Sequence, residues 1–168
     1  MGEPSLTFEL RSEAALVELA GGFARALWAR RVCPLVIGLG GDLGSGKTTW
    51  ARGMLRGLNY GGRVPSPTYM LLEEYRCDGL NVIHLDLYRL SGDEELENLG
   101  VRDWLDDPTT WIVVEWPERA PHLARRCDLD LQLAVTGPAG RRVAVTARSP
   151  AGIEALGMLR QVGFKNDS

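Results

Sequence analysis

The sequence predicts an α/β protein: a mixed, mostly parallel sheet with helices on both faces and an antiparallel hairpin near the C-terminus. Three observations carry that expectation. The runs "PLVIGLGG" (34–41) and "WIVVEWP" (111–117) are continuously apolar, as strands buried on both faces are. Strand-like and amphipathic helical segments alternate through the earlier part of the chain. Finally, "LDLQLAV" and "RRVAVTAR" flank the turn sequence "TGPAG", which reads as a hairpin. The 168 residues have the length of one domain, and no repeat, low-complexity segment or long linker divides them, so 1–168 is read as a single unit.

The elements follow in order. "SLTFEL" (5–10) reads as a short strand. Ser12 and Glu13 open a helix to about Trp28, with apolar residues at Leu16, Leu19, Ala20, Phe23 and Leu27. After the buried strand at 34–41, "TTWARGMLRGL" (48–58) is helical. "VPSPTYMLLEEY" has two prolines before strand-forming residues, which predicts an extended loop leading into a strand. "LNVIHLDLYRL" (80–90) alternates as a strand does, and "DEELENLGVRDWL" reads as a capped helical stretch. The second buried strand stops at Pro117, the hairpin follows, and "SPAGIEALGMLRQVGF" closes the chain as a helix.

Composition narrows the functional classes. With 45% apolar and 24% charged residues the chain has the make-up of a soluble globular protein. Its net charge of -3 gives no electrostatic footprint of a nucleic-acid or membrane binder. Three cysteines (Cys33, Cys77, Cys127), odd in number and without a CxxC, are expected to be reduced thiols. No signal peptide is evident, and every apolar run is far shorter than the ~20 residues of a membrane helix, so a cytoplasmic location is expected.

Chemistry concentrates at "GDLGSGKTT" (41–49). Gly41, Asp42, Leu43, Gly44, Ser45, Gly46, Lys47 and Thr48 satisfy G-x-x-x-x-G-K-[ST], with a buried strand before and a helix after. Glycines let successive backbone N–H groups point into a nest around a phosphate, and the helix adds the positive end of its dipole. Of 19 basic residues only Lys47 and Lys165 are lysines. A compact ammonium on a long stem reaches the β- and γ-phosphates where a planar guanidinium fits poorly. The Thr48 hydroxyl is placed for Mg²⁺. No lysine lies between 47 and 165, which excludes the N/T-K-x-D guanine motif and leaves ATP as the expected nucleotide.

A site of this kind needs a carboxylate at the end of a neighbouring strand. Glu115 ends "WIVVE" and is assigned to Mg²⁺ with Thr48; Asp86 ends "VIHLD" and is assigned to orienting or activating the attacking water. The structural alternative for Asp86 is a cap or an ion pair with Arg89. His84 shares a strand face with Asp86 and is read as a polar core histidine bonded to its neighbours. Trp116 either covers the site or faces a partner, with a packed aromatic as the alternative. "PSPTY" is the candidate γ-phosphate sensor, through Thr68.

The order of these motifs resembles TsaE, the small ATPase family of bacterial tRNA threonylcarbamoyladenosine (t6A) synthesis. The family pattern appears as "GDLGSGKTT", "SPTYML" (66–71), "HLDLYRL" (84–90), "EELENLG" (94–100) and "EWPER" (115–119), in uninterrupted order over roughly residues 5–148. Ser45 stands for the usual alanine, Leu16 for a common threonine, and "LARRCD" for L-P-x-x-D. The resemblance implies a three-layer P-loop fold and a Mg²⁺-dependent ATPase site of Lys47, Thr48, Asp86 and Glu115. It puts Thr49 beside the phosphates, puts adenine and ribose contacts near Arg11, Glu118 and Arg141, and gives Trp116 a functional role. It also implies TsaD and TsaB homologues as partners, with tRNA met only through them. A small-molecule kinase and a non-enzymatic ATP-gated binding module remain the alternatives.

Overall fold

A computed structural model describes residues 2–64 and 72–165. Along the chain run β1 (Ser5–Leu10), α1 (Glu13–Ala29), β2 (Leu35–Gly40), α2 (Lys47–Gly57), β3 (Leu72–Cys77), β4 (Leu80–Asp86), α3 (Asp93–Asn98) and α4 (Val101–Leu105). They are followed by β5 (Thr110–Glu115), α5 (Pro121–Ala124), β6 (Leu129–Val135), β7 (Arg141–Ala147) and α6 (Pro150–Lys165). The strands form one sheet in the order β1-β7-β6-β2-β5-β4-β3. β6, β2, β5 and β4 are parallel neighbours; β3 pairs antiparallel with β4, and β7 lies antiparallel between β6 and β1. β1, β2, β4, β5 and β6 therefore run one way and only β3 and β7 the other.

The burial patterns explain the layers. β2 and β5 are buried at every position because both their faces are covered. On one face, α1, α2 and α6 pack over Leu35, Ile37, Leu39, Val82, Val113, Leu131 and Val145. α1 contributes Leu16, Leu19, Phe23 and Leu27, spaced three or four apart, and burying each such side chain stabilises by about 1.5–3 kcal/mol. Its start is fixed by Ser12, whose Oγ accepts from the Ala15 amide at 3.1 Å. On the other face, Leu96, Val101 and Leu123 from α3, α4 and α5 cover Val36, Ile83, Leu85, Ile112 and Val114.

Helices thus cover both faces only over the central strands. On the β1–β7 wing the second face is polar, with Thr7 and Glu9 of β1 exposed beside Arg142, to which Glu9 is ion-paired. The strict alternation of β1 and β7 encodes this one-sided burial.

Local differences from expectation have physical causes. β4 ends at Asp86 and does not run to Leu90, because the Asp86 carboxylate accepts from the Tyr88 amide at 3.0 Å and Leu90 N–H closes on Leu87 O at 2.9 Å. The helical stretch breaks into α3 and α4 at Gly100, which is left-handed (φ 78°). Its start at Gly92 has no side-chain cap; instead Glu95 reaches back to the Ser91 amide and hydroxyl. Asp78 and Gly79, both at positive φ, make a tight turn between β3 and β4. Cys33, Cys77 and Cys127 are free thiols. Among the described residues no helix is long and apolar enough to cross a membrane.

Candidate functional site

β2 ends at Gly40, and the chain turns through Gly41–Gly46 into α2, whose first residue is Lys47. Gly41 sits at φ 130°, and a Cβ there would overlap the Leu133 carbonyl oxygen, so the first turn of the loop admits only glycine. The Lys47 ammonium donates to the carbonyls of Gly41 and Asp42 at 2.6 and 2.9 Å. It also lies 4.2 Å from the centroid of the Trp116 ring. The side chain is 5% exposed. Loss of solvent pushes its pKa below the usual lysine value, and the charges of Glu115, Asp86, Glu118 and Asp42 oppose that shift.

Opposite the loop, β4 and β5 end together, with Asp86 and Glu115 paired in register. The Thr48 hydroxyl donates to Glu115 at 2.8 Å to Oε1 and 3.0 Å to Oε2. His84 Nε2 lies 2.6 Å from Glu115 Oε2, and His84 and Glu115 are 1% and 3% exposed. A hydroxyl from the helix, an imidazole from β4 and a carboxylate from β5 thus form one chain of contacts, buried at its His84–Glu115 end and half-buried at Thr48. The turn after β4 and the residue after β5 form the next wall. Trp116 is in the left-handed region (φ 60°), unusual for a bulky side chain, and its ring packs against Tyr88 at 5.1 Å. Arg119 lies over Tyr88 at 5.8 Å.

These parts enclose a cavity of about 380 Å³ lined by Leu43, Gly44, Gly46, Lys47, Thr48, Thr49, Asp86, Tyr88, Arg89, Glu115, Trp116 and Arg141, with Glu13 and Leu16 of α1. Gly41, Asp42 and Ser45 are outside that lining: the carbonyls of Gly41 and Asp42 hold Lys47, Asp42 is exposed, and Ser45 is buried. Glu118 is outside the lining, though its charge reaches Lys47. Arg11 is not brought to this cavity; it lines a separate depression with Phe8, Leu10 and Phe164. Thr68 and the rest of "PSPTY" lie outside the described residues. The sequence reading did not single out Glu13 or Tyr88 for the site, nor the His84–Glu115 contact. For His84 the signal was the two-residue spacing to Asp86, which puts both on one strand face.

An open α/β sheet with a glycine loop after its central strand β2, and acidic residues ending the next two strands on one side, β5 and β4, belongs to the class of folds that hold their ligands at the carboxyl ends of the strands. The profile of "Threonylcarbamoyl adenosine biosynthesis protein TsaE" matches residues 10–143, and the chain belongs to that family. It is similar to the Haemophilus influenzae tRNA threonylcarbamoyladenosine biosynthesis protein TsaE, 39% identical over 126 residues, covering 74% of this chain and 79% of the relative. The Synechocystis protein of the same name is 43% identical over 90 residues, covering 52% of this chain and 57% of the relative. The crystal structure of Bacillus subtilis YdiB has the same fold, with a TM-score of 0.69, 22% identity, and coverage of 100% of this chain and 99% of that one.

Proposed function

We propose that this chain is the Mg²⁺-dependent ATP hydrolase of t6A synthesis, acting in the cytoplasm on a TsaB–TsaD transfer complex that it supports or resets. The observation that carries the reading is the meeting of Lys47 and Thr48, at the first turn of α2, with Glu115 at the end of β5: Thr48 Oγ1 is 2.8 Å from the carboxylate. A glycine-turned loop opening a helix is an anion cradle, and a hydroxyl beside a carboxylate is a hard-oxygen donor set suited to Mg²⁺. Among the described residues no group of three or more His, Cys, Asp or Glu side chains is placed to hold a metal unaided. That agrees with a cation completed by phosphate oxygens, as Mg²⁺ at nucleotide sites is.

Thr48 and Glu115 would hold Mg²⁺, which supplies neutralisation of charge on the phosphates. The chain's own residues do the rest. Loop amides and the α2 dipole bind the phosphates. Lys47 exchanges the carbonyls of Gly41 and Asp42 for phosphate oxygens and stabilises the charge that develops during transfer. Asp86, anchored by the Tyr88 amide, orients the attacking water or takes its proton. Trp116 and Tyr88 wall the cavity.

A pull-down with and without ATP tests the assignment: TsaB and TsaD homologues are expected to be recovered in a nucleotide-dependent manner, and their absence under both conditions overturns the partner reading. Labelled γ-phosphate appearing on another acceptor would make the protein a kinase. ATP-dependent capture without phosphate release would make it a gated binding module.

A further inference from the structure

We propose that His84 is a positioning residue: with its proton on Nε2 it fixes the Glu115 carboxylate, and thereby sets how strongly a divalent cation couples to nucleotide binding. The proposal rests on the reading of Glu115 as the carboxylate that serves the cation. Its geometric basis is independent of that reading. His84 faces the α1–α2 side of the sheet within an apolar layer containing Val82 and Val113, where an imidazole is costly unless it is hydrogen-bonded. In the strand ladder it lies opposite Val113, so its reach to Glu115 is diagonal, two residues along β5.

The tautomer follows from the partners. Nδ1 is buried with no hydrogen-bond partner among the described residues, while Nε2 is 2.6 Å from Glu115 Oε2. A proton on Nδ1 alone would leave that N–H without an acceptor and set the bare Nε2 lone pair against a carboxylate oxygen. A proton on Nε2 removes both faults. Glu115 then has two donors. Thr48 supplies a single hydroxyl hydrogen, and its oxygen is also the one offered to the cation. His84 is the donor with no second task, fixed to a central strand. Groups that orient a metal-serving carboxylate in this way typically change metal affinity by about 10–100-fold when removed.

The experiment titrates magnesium chloride against binding of a fluorescent ATP analogue, with an EDTA arm, for wild type, His84→Leu, His84→Gln and Glu115→Ala. His84→Leu is expected to need about 10–100-fold more Mg²⁺ for half-maximal binding while its affinity in EDTA is unchanged. His84→Gln, which keeps a side-chain N–H, should stay near wild type. A wild-type Mg²⁺ requirement in His84→Leu overturns the proposal, as does an equal loss in EDTA. If Glu115→Ala also binds with the wild-type Mg²⁺ requirement, the cation reading of Glu115 fails instead. Nitrogen-15 NMR of the imidazole then decides the positioning claim: a protonated Nε2 upholds it and an unprotonated Nε2 overturns it.

Discussion

The Lys47 ammonium, Thr48 hydroxyl and Glu115 carboxylate meet within one small volume, with Lys47 and Glu115 buried and Thr48 half-buried, and each makes a testable demand. Lys47→Ala removes the charge that neutralises the transferring phosphate, so phosphate release should fall at least about 100-fold with the fold intact, checked by turnover and circular dichroism. Lys47→Arg should fail nearly as badly, because a planar fork cannot occupy a space shaped by two carbonyls and an indole ring. The two carboxylates should separate by readout: Glu115→Ala loses Mg²⁺-dependent nucleotide affinity, whereas Asp86→Ala keeps most binding and loses turnover. The opposite pattern in binding titrations exchanges their roles. Away from the site, burial pushes the Cys127 thiol from 9.0 up to about 12, with Asp130 and Asp128 adding to the rise. Its protonated form is favoured in the fold, so native protein should resist alkylation there at pH 8, and rapid labelling seen by mass spectrometry would contradict the burial. Between pH 9 and about 12 the unfolded thiol ionises while the folded one does not, so this residue's share of stability is lost as pH rises.

At the scale of elements, the placement of α2 depends on a close crossing with α1. A Cβ on Gly57 would overlap the backbone of Gly21, so the two helices meet with no side chain between them. Gly57→Ala should cost about 1–3 kcal/mol and lower Tm by several degrees, measured by thermal unfolding. An unchanged Tm would mean that the helices do not cross so closely. The same scale shows what local sequence encodes. α1 was legible because Ser12 and a regular apolar stripe agree, and β2 and β5 because continuous apolar runs have few other uses. The "CDG" turn between β3 and β4 was equally local and was passed over. Pairing of Ser5 with Thr146, which sets β1 at the sheet edge, is a contact between chain ends that no local pattern announces. The glycine loop is one contiguous motif, so Lys47 and Thr48 could be placed at a helix start from residues alone. The His84–Glu115 contact needs the register of two strands, and Arg11 needs the path of β1 past α6; neither is written in a local stretch.

For the whole molecule, net charge is -3, which gives no electrostatic footprint of direct nucleic-acid binding. The cavity has charge-neutralising groups on the loop side, while Arg89 and Arg141 stand at its lining and Arg119 is turned over Tyr88. Nucleotide sites of this type run at about 10⁻⁴ to 10⁻² per second without a closing arginine or ordered lid, and such an element adds roughly 10³ to 10⁵. Under the proposed function this chain is a slow ATPase completed by its partners. Steady-state phosphate release by the purified protein, with and without the TsaB–TsaD pair and with Lys47→Ala as control, tests it most directly. The predicted result is turnover far below one per second alone, a marked rise on adding the pair, and none in the variant. Full activity of the isolated protein, indifferent to the pair or to the loss of Lys47, would contradict it.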